Sequence, residues 1–425
     1  MAFTHTPHVL LSAYQCAPSM EAVSEIGWQW YTRLTQRVPV TLVTHIRNKR
    51  ILLAAGAPLP NSEIIFIDTE WFAGPLFHLA TKLFPEDEHA IFLLTSLDFY
   101  VYDWVAVKHL RAYQRAGAHW DIAQAVTPVS PIAATRLHVL KCPLVLGPWN
   151  GGLKTPTVFP EVIGKDRHWI YPIRHLGYVV DWLAGTTKHA ELILAATQAT
   201  WQSIPTRCHS RCLHFLENGV DLHLFAPAPW PSPPSNQNPL RIVFVGRLQR
   251  FKGLTLLLEA IARVKDSLLI ELMVVGGGIL EREWRTLAER LGISQLVKWY
   301  GYATAKQVVN ELHKAHVLCL PSVRESGGAV ILEAMACARP VLTIAYGGPK
   351  EVVDDRVGRA LPPTGTAAII DGLVESFRDI VIHPEAWRQR GENGRKRAET
   401  LYSWDAKIDQ ILDIYQKLLK TYDPQ

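Results

Sequence analysis

A chain of 425 residues is long enough for two domains, each with its own hydrophobic core. Apolar residues make up 48% and charged residues 20% of the chain, which are the values of a globular protein. With 44 basic and 39 acidic residues the net charge is +5, which is too small to predict nucleic-acid binding, so we expect no nucleic-acid partner. Six scattered cysteines do not predict a disulfide framework in a chain of this length.

Short apolar runs alternate with helix-like segments over the first half of the chain. This alternation predicts an α/β domain with a doubly wound parallel sheet. The predicted strands cover residues 9–12, 40–44, 64–67, 122–126, 144–146 and 192–195, and the first predicted helix covers residues 26–37.

The sequence predicts a cytoplasmic protein. Residues 1–14 lack a basic segment followed by an apolar run of signal length. No window of about 18 uncharged apolar residues predicts a membrane span. Residues 71–84 and 91–104 are rich in aromatic side chains, and two interpretations stay open. One is an interfacial or acceptor surface, which predicts peripheral contact with the inner face of a membrane; the other is a pair of amphipathic helices packed on the core.

The composition changes sharply at residues 222–240, which are rich in proline, serine and asparagine. Such a segment is extended and rich in turns, which predicts a linker. We therefore place an N-terminal domain at residues 1–221 and a C-terminal domain at residues 241–401. A final predicted helix at residues 402–419 carries an apolar stripe opposite a charged face.

Beyond the predicted linker the alternation of strands and helices begins again. This predicts a second doubly wound parallel sheet. The predicted strands cover residues 241–245, 270–275, 297–300 and 317–320, and the predicted helices cover residues 254–264, 281–291, 305–315 and 329–338.

Residues 321–333 place two carboxylates, Glu325 and Glu333, on either side of a glycine-rich helix start. Glycine allows a close approach of the backbone, and the free N–H groups of a first helical turn bind anions. Glu333 lies about two helical turns further on, roughly 10 Å along the axis. The segment therefore predicts a site for a nucleotide diphosphate that carries a sugar. The helix start is formed by Gly327, Gly328 and Ala329.

A basic loop follows the strand at residues 241–245. It begins with Gly246 and Arg247 and ends with Lys252 and a glycine, just before a predicted helix. Loops at the carboxyl ends of strands are where open parallel sheets bind ligands. An arginine fork and a lysine charge together neutralise a departing diphosphate, so this loop is expected to serve the same ligand.

These motifs resemble the retaining nucleotide-sugar glycosyltransferases of family 4, also called glycosyl transferases group 1. The resemblance implies a GT-B fold, with two Rossmann-like domains that face each other across a cleft and a C-terminal helix, residues 402–425, that packs back on the N-terminal domain. The motifs are Gly246-Arg247, Lys252-Gly253, three glycines at 276–278, residues 297–301, Glu325 with Glu333, and residues 347–352.

The resemblance also implies roles for individual residues of the C-terminal domain. Arg247 and Lys252 are expected to bind the diphosphate, Glu325 to contact the donor sugar and Glu333 to hold the ribose. The first three are our catalytic candidates. Tyr300, Gly301 and Tyr302 are expected to meet the base through backbone groups.

The N-terminal half offers weaker signals. Residues 24–30 resemble a segment of many bacterial members, and Gly27 within it is expected to approach the phosphates from the opposite side. Three further residues follow strands, at the edge where ligands bind, and with Gln124 they are our candidates for positioning the acceptor or the donor. Gln124 stands where bacterial members often carry a histidine, and glutamine hydrogen-bonds but does not titrate. The other three are Thr127, Asn150 and Gly151.

The expected activity is transfer of a sugar, with retention, from a nucleotide-diphosphate sugar to a hydroxyl of a glycan or lipid-linked acceptor in bacterial polysaccharide or glycolipid synthesis. No cofactor besides this donor is expected. Residues 86–88 form the one acidic run with metal-ligand spacing, and we interpret them as an exposed helix boundary, so we expect no metal. Two alternatives stay open: a non-catalytic subunit that binds sugar nucleotides, for which Gln124 argues, and a phosphorylase or epimerase on the same scaffold.

Overall fold

The computed structural model describes residues 6–18, 20, 22–85, 91, 94–154, 156–163 and 171–422. The acidic run at residues 86–88 lies outside this part of the chain. The chain divides into two compact units. The first comprises Met1–Gly152, Arg167–Glu217 and Ile408–Gln425, and the second comprises Leu153–Asp166 and Asn218–Lys407. Residues 222–240, which the composition predicts as a linker, thus belong to the second unit.

The first unit contains a seven-stranded parallel sheet with the order β3-β2-β1-β4-β5-β6-β7. Four of these strands are buried along most of their length, as expected when both faces of a parallel sheet are covered. The predicted doubly wound sheet is confirmed. The strands are β1 Val9–Ala13, β2 Val40–His45, β3 Ser62–Ile67, β4 Ile122–Thr127, β5 Leu144–Trp149, β6 Leu192–Ala195 and β7 Cys212–His214.

The second unit contains a six-stranded parallel sheet with the order β10-β9-β8-β11-β12-β13. This sheet confirms the second doubly wound sheet that the sequence predicts. The last two strands, β12 and β13, are absent from the sequence-based assignment. The strands are β8 Leu240–Val245, β9 Ile270–Val275, β10 Val297–Gly301, β11 Val317–Leu320, β12 Val341–Ile344 and β13 Gly358–Leu361.

Helices connect the strands of both sheets and cover their faces. None of the helices within the described residues is long and apolar enough to cross a membrane. In chain order the α-helices are α1 Ala22–Leu34, α2 Lys49–Ala54, α3 Glu70–Leu83, α4 Asp98–Arg115, α5 Pro160–Ile163, α6 Tyr171–Ala184, α7 Thr186–His189, α8 Gln198–Ser203, α9 Leu254–Val264, α10 Glu281–Arg290, α11 Ala305–Lys314, α12 Ala329–Ala336, α13 Gly348–Val352, α14 Thr366–Ile382, α15 Pro384–Arg397 and α16 Trp404–Thr421.

The core of the first unit receives helices from distant parts of the chain. Phe99, Tyr102 and Leu110 of α4 are buried in one hydrophobic cluster with residues of β1, β4 and β5. On α16, Ile408 and Tyr415 are almost fully buried, which matches the apolar stripe predicted for the last helix. The helix therefore completes the N-terminal unit, as the resemblance implies.

Candidate active site

The candidate site of the second unit lies where its sheet changes direction. β8 pairs with β9 on one side and with β11 on the other, so the chain winds one way from β8 to β10 and the other way from β11 onward. Open parallel sheets bind ligands at the carboxyl ends of the strands that flank such a point. The basic loop follows β8 and the segment with Glu325 follows β11, so the topology brings the two predicted motifs to one edge.

Backbone contacts fasten these two loops to each other. Gly253 ends the basic loop with φ 71°, a left-handed conformation that favours glycine. A Cβ on Gly253 would lie 1.9 Å from the carbonyl oxygen of Pro321. Val323 also donates its backbone N–H to the carbonyl of Phe251 at 2.8 Å. Close approach of this kind fixes the basic loop against the segment that carries Glu325.

Lys252 and Glu325 form an ion pair at the centre of the site. Lys252 Nζ lies 2.5 Å from Glu325 Oε2, and the two side chains are only 15% and 10% exposed. The other oxygen, Glu325 Oε1, accepts a hydrogen bond from the N–H of Gly328 at 3.3 Å, at the start of α12. A Cβ on Gly246 would lie 3.8 Å from Cδ of Lys252, so the aliphatic part of Lys252 lies next to this glycine. Four predicted site residues are therefore in contact or nearly so.

Arg247 lies in the same loop, but its side chain is exposed. Within the described part of the chain its guanidinium group makes no hydrogen bond or ion pair. Gly327 and Ala329, at the helix start, are partly exposed. The edge therefore presents an exposed cation, Arg247, beside the ion-paired Lys252, next to the first turn of a helix, where backbone N–H groups lack intrahelical partners.

Glu333 occupies the fifth position of α12 and is half-buried. Its carboxylate makes no hydrogen bond or ion pair with any residue that the structure describes. Burial away from water raises the pKa of Glu333 from its usual value near 4.5 to about 7. A carboxylate kept without a partner in such surroundings is costly, and bound hydroxyl groups would offset the cost.

The end of β10 forms another wall of this edge. Gly301 has φ 79°, and its carbonyl accepts the N–H of Gly276 at 2.8 Å. Tyr300 is 38% exposed and Tyr302 is 82% exposed. A Cβ on Gly277 would lie 2.5 Å from the ring of Tyr302, so a side chain at position 277 would clash with the ring. The three residues that we expect to meet the base, Tyr300, Gly301 and Tyr302, thus lie together at the carboxyl end of β10.

Two glycines at residues 347 and 348 hold the loop of Glu325 from the other side. Gly347 has φ 67°, and a Cβ there would lie 2.1 Å from the carbonyl oxygen of Glu325. Gly348 donates its N–H to the same oxygen at 3.0 Å. The sequence places these glycines in a family motif without a role. Their structural role is to support the backbone of the Glu325 loop.

Gln124 does not lie at a ligand surface. It is fully buried in β4, its Nε2 donates to the carbonyl of Gly147 at 2.8 Å, and its Oε1 accepts the hydroxyl of Tyr415. With both ends of its amide engaged, Gln124 offers no group to an acceptor, and this placement argues against the positioning role. Tyr415 lies 291 residues away in the chain, so local sequence gave no sign of this pairing.

The other acceptor candidates also bond within the first unit. Thr127 Oγ1 donates to the carbonyl of Gln15 at 2.8 Å and accepts its N–H at 3.0 Å. Asn150 Nδ2 donates to Glu217, and the N–H of Gly151 donates to Thr200 Oγ1 at 3.0 Å. These contacts fix loops at the carboxyl edge of the sheet. The hydroxyl of Thr127 already donates its hydrogen bond to Gln15, so it has no further hydrogen to donate to an acceptor.

Gly27 lies inside a helix rather than at its start, because α1 begins at Ala22 and the sequence predicts a start at residue 26. It is buried, and a Cβ there would lie 2.3 Å from the carbonyl oxygen of Gln15. Gly27 thus lets α1 pack against the loop after β1. The phosphate contact that we expected of Gly27 stays a prediction.

A polar cluster that sequence reasoning missed lies at the carboxyl ends of β1 and β2. The hydroxyl of Tyr14 donates to Asp98 at 2.7 Å, and Arg47 donates to Asp98 at 3.3 Å and to Glu70. Burial and the neighbouring Asp98 raise the pKa of Tyr14. Arg47 and Glu70 are nearly half exposed, so the cluster reaches the surface. The sequence feature that could have revealed this cluster is the position of Tyr14 just after the first predicted strand.

No group of three or more histidine, cysteine, aspartate or glutamate side chains among the described residues has the arrangement of a metal site. All six cysteines are free thiols. The prediction that no metal takes part stays a prediction.

Comparisons with known proteins match one part of the chain to a family model. Residues 231–397 match the family model described as glycosyl transferases group 1. The D-inositol 3-phosphate glycosyltransferase of Xylanimonas cellulosilytica is 29% identical over 49% of this chain and 52% of its own. The O-antigen chain mannosyltransferase C of Escherichia coli is 31% identical over 42% of this chain and 47% of its own. The chain thus spans about half the length of the curated relatives it matches.

Solved structures share the fold along nearly the whole chain. Sucrose-phosphate synthase from Thermosynechococcus elongatus covers 98% of this chain and 100% of its own, with a TM-score of 0.64 and 17% identity. Anabaena Alr3699/HepE in complex with UDP covers 97% of this chain and 100% of its own, with a TM-score of 0.59 and 15% identity. Residues 231–397 of this chain are therefore a glycosyl transferases group 1 domain, within a chain that has the two parallel α/β sheets of the GT-B fold.

Proposed function

We propose that this protein is a glycosyltransferase that moves a sugar from a nucleotide-diphosphate sugar to the hydroxyl of an acceptor. The observation that carries the proposal is the edge between β8 and β11, where the Lys252–Glu325 ion pair lies beside the helix start of α12. An exposed arginine and a carboxylate without a described partner complete this edge. The family match of residues 231–397 and the activities named for the relatives support the same class of reaction.

The cations act on the leaving group. As the bond between the sugar carbon and the phosphate oxygen breaks, negative charge grows on the diphosphate, and Arg247 and Lys252 stabilise it. Lys252 is paired with Glu325 before the donor binds, so the diphosphate replaces one anionic partner with another. Glu325 is then left to accept hydroxyl groups of the donor sugar.

The two remaining donor contacts lie further along the same edge. Glu333 accepts the ribose hydroxyls, which supply the hydrogen bonds that its carboxylate lacks. Tyr300 and Gly301 lie at the end of β10, where they meet the base. Neither the sugar nor the base follows from these groups, because backbone contacts discriminate little between bases.

The transfer is proposed to proceed with retention, since the family resemblance implies it. The acceptor oxygen forms a bond to the sugar carbon, the bond to the phosphate oxygen breaks, and the acceptor proton passes to that phosphate oxygen. No residue at the edge stands out as a covalent nucleophile. The cations at the diphosphate do what a divalent metal does elsewhere, so we propose that neither a metal nor a further cofactor is needed. Activity lost to a chelator and restored by a divalent metal would contradict this.

For the acceptor we propose a glycan or a lipid-linked carrier in bacterial envelope synthesis, with the protein in the cytoplasm and in peripheral contact with the membrane. The named relatives support this class, because one builds an O-antigen chain. In the first unit, the cluster of Tyr14, Arg47 and Glu70 is our candidate for binding acceptor hydroxyls, since it reaches the surface at the ligand edge of the sheet. Nucleic acid is not proposed as a partner.

The test compares two arginines of the same loop. Arg247 is exposed without a described partner, whereas Arg250 pairs with Glu283 at 3.1 Å and both side chains are 51% exposed. We expect Arg247→Ala to lower transfer about 100-fold, as for loss of a donor that stabilises transition-state charge. We expect Arg250→Ala to change transfer little, because an exposed ion pair contributes about 0–1 kcal/mol.

The donor is found first by thermal shift with UDP, GDP and ADP sugars, because a ligand that binds only the native state raises its stability. Transfer to membrane extracts is then followed with the donor that binds. Tight donor binding without hydrolysis or transfer would instead identify a non-catalytic sugar-nucleotide-binding subunit. Equal losses of transfer activity in the two arginine variants would show that Arg247 does not act on the leaving group.

A further inference from the structure

Among residues 177–184 of α6, the part of the helix whose side chains the structure describes, exposed apolar side chains face outward and a carboxylate is buried. The buried side carries Gly177 and Asp181, whereas Val179, Trp182 and Leu183 point outward and are 50%, 70% and 71% exposed. A surface helix normally turns its apolar stripe to the core and its charged face to water. An outward apolar face of this kind indicates a surface that another apolar body covers.

The orientation of α6 is fixed by specific contacts. A Cβ on Gly177 would lie 2.5 Å from Cβ of Ile132, so only glycine lets the helix approach this closely. Asp181 is 4% exposed and accepts hydrogen bonds from the N–H and the hydroxyl of Thr187 at 3.0 and 2.7 Å. A rotation of α6 that buried Trp182 would break these bonds and expose a packed glycine. The outward position of the apolar residues is therefore built into the unit.

Helix α4 lies beside α6 and extends the surface. Both helices line one cavity of about 260 Å³, with Tyr100 of α4 near Leu183 of α6. The hydroxyl of Tyr100 also donates to the carbonyl of Ile132, the residue on which Gly177 packs. Trp104 on the outer side of α4 is 51% exposed. The two helices are therefore neighbours, and each carries an exposed tryptophan.

The outer face of α4 adds positive charge to this apolar surface. Lys108 and Arg111 are exposed one and two turns beyond Trp104, and Lys108 Nζ lies 5.9 Å from the centre of its ring. The carboxylates of α4 are turned inward: Asp98 and Asp103 are 2% and 5% exposed. With Asp181 also buried, the outward residues among 98–115 and 177–184 include cations and no carboxylate. We call the six residues the basic-apolar face: Trp104, Lys108, Arg111, Val179, Trp182 and Leu183.

We propose that the basic-apolar face docks the protein on an anionic lipid bilayer. Tryptophan and aliphatic side chains insert at the boundary between headgroups and acyl chains, while neighbouring lysine and arginine pair with anionic headgroups. A second copy of the chain would present the same cations, so its charge is not complementary. The proposal specifies the peripheral membrane contact of the proposed function, but its test measures binding and not sugar transfer, so the two can fail separately.

Co-sedimentation of the full chain with vesicles tests this docking. We expect binding to phosphatidylcholine vesicles that contain phosphatidylglycerol, weaker binding to phosphatidylcholine alone, and release by salt. The double variant W182S/L183S should bind about tenfold less or weaker still. The double variant K108Q/R111Q should lose about fivefold for each cation removed.

Matched controls separate the face from general surface effects. Ile382 on α14 is 67% exposed, so Ile382→Ser removes a similarly exposed apolar side chain from the second unit. Arg282 and Arg290 on α10 are exposed, and R282Q/R290Q removes the same charge there. Both controls should bind vesicles as the unchanged chain does, and circular dichroism and thermal unfolding confirm that each variant is folded.

Three outcomes would overturn the proposal. The unchanged chain does not bind anionic vesicles; or the control variants lose binding as much as the variants of the face; or the chain forms a dimer in analytical ultracentrifugation that W182S/L183S dissociates, without vesicle binding. The last result would assign the face to contact between copies of this chain.

Discussion

Two glutamates of the second unit meet opposite electrostatic conditions. Glu325 is neutralised by Lys252 and by a backbone N–H, so its charge is compensated without a ligand. Glu333 has no described partner, and burial raises its pKa to about 7. The first carboxylate must exchange partners when a donor binds, whereas the second gains partners. These two conditions lead to different predictions.

Glu333→Gln should remove a pH-dependent loss of stability. The folded-state pKa lies above the usual value, so folding takes up a proton between about pH 4.5 and 7, and stability falls as pH rises through this range. The variant should therefore be less dependent on pH there and should have a higher Tm than the unchanged chain at about pH 8. Its donor affinity at that pH should be lower, because a neutral amide accepts ribose hydroxyls less well than a carboxylate. Calorimetry across the pH range measures the first effect and titration with donor the second.

The exposed Glu289 of α10 provides the control for this experiment. Glu289→Gln should leave the pH dependence of Tm unchanged. If Tm depends on pH in the same way in Glu333→Gln and in the unchanged chain, Glu333 is not the group that takes up the proton on folding.

Lys252→Ala should lower both stability and activity. It leaves Glu325, whose side chain is only 10% exposed, without its cation, which we expect to cost about 3–5 kcal/mol of unfolding free energy. The double variant K252A/E325A should recover most of this stability but none of the transfer activity. Urea unfolding and the transfer assay measure the two quantities.

A surface ion pair serves as the reference for this prediction. Lys298 and Glu271 lie 3.4 Å apart with side chains 59% and 38% exposed. Lys298→Ala should cost about 0–1 kcal/mol. Equal losses of unfolding free energy in K252A and K298A would show that the Lys252–Glu325 pair contributes no more than a surface ion pair.

At the scale of elements, the site depends on loops held by backbone contact. The loop of Glu325 is supported by Gly347, and the basic loop is joined to Pro321 through Gly253. Both glycines have a left-handed φ and a neighbouring carbonyl that leaves no room for a Cβ. Support of this kind limits how far the ion pair can move.

Gly347→Ala should displace the loop of Glu325 and weaken donor binding. The added Cβ would lie 2.1 Å from a backbone oxygen, so the backbone itself must shift. Gly292 is the matched control, since its φ of 64° is similar and its nearest atom is the flexible end of Lys265 at 3.1 Å. Gly292→Ala should cost about 1 kcal/mol from strain alone and leave donor affinity unchanged. Equal effects of both variants on donor titration would contradict the role of Gly347.

The sequence allowed most elements and the donor edge to be predicted, for a physical reason. Strands buried on both faces appear as apolar runs, and ligands bind at their carboxyl ends, so Lys252 and Glu325 could be placed together from position alone. The partner of Gln124 could not, because Tyr415 approaches it from the far end of the chain. Short strands such as β7, with its exposed Leu213, also leave no apolar run to detect.

At the scale of the whole molecule, α16 follows the second unit in sequence but completes the first. Residues from Ile408 onward belong to the first unit, where Tyr415 bonds to Gln124 of the central strand β4. The buried apolar residues on this part of α16 are Ile408, Ile411, Leu412 and Tyr415.

Removal of residues 408–425 should unfold the first unit and spare the second. The four buried side chains contribute about 8 kcal/mol at about 2 kcal/mol each, which is comparable to the whole stability of a domain, about 5–15 kcal/mol. Hydrogen exchange should show loss of protection in β1, β2 and β4 and retained protection in β8 and β11. A milder variant, Tyr415→Phe, should cost about 1–3 kcal/mol because it leaves Gln124 Oε1 buried and unpaired.

The exposed Tyr113 of α4 is the control for the hydroxyl, and Tyr113→Phe should change protection little. Loss of protection in both units after the deletion would contradict the assignment of α16 to the first unit.

The position of α16 has a consequence for synthesis on the ribosome. The first unit is translated first, yet its sheet lacks a covering helix until residues 408–422 have been made. The second unit, which ends at Lys407, has all its residues earlier. N-terminal domains usually fold first during translation, but here the first unit can complete its fold only after the second unit has been made. Part of the core of the nascent first unit is therefore exposed throughout elongation.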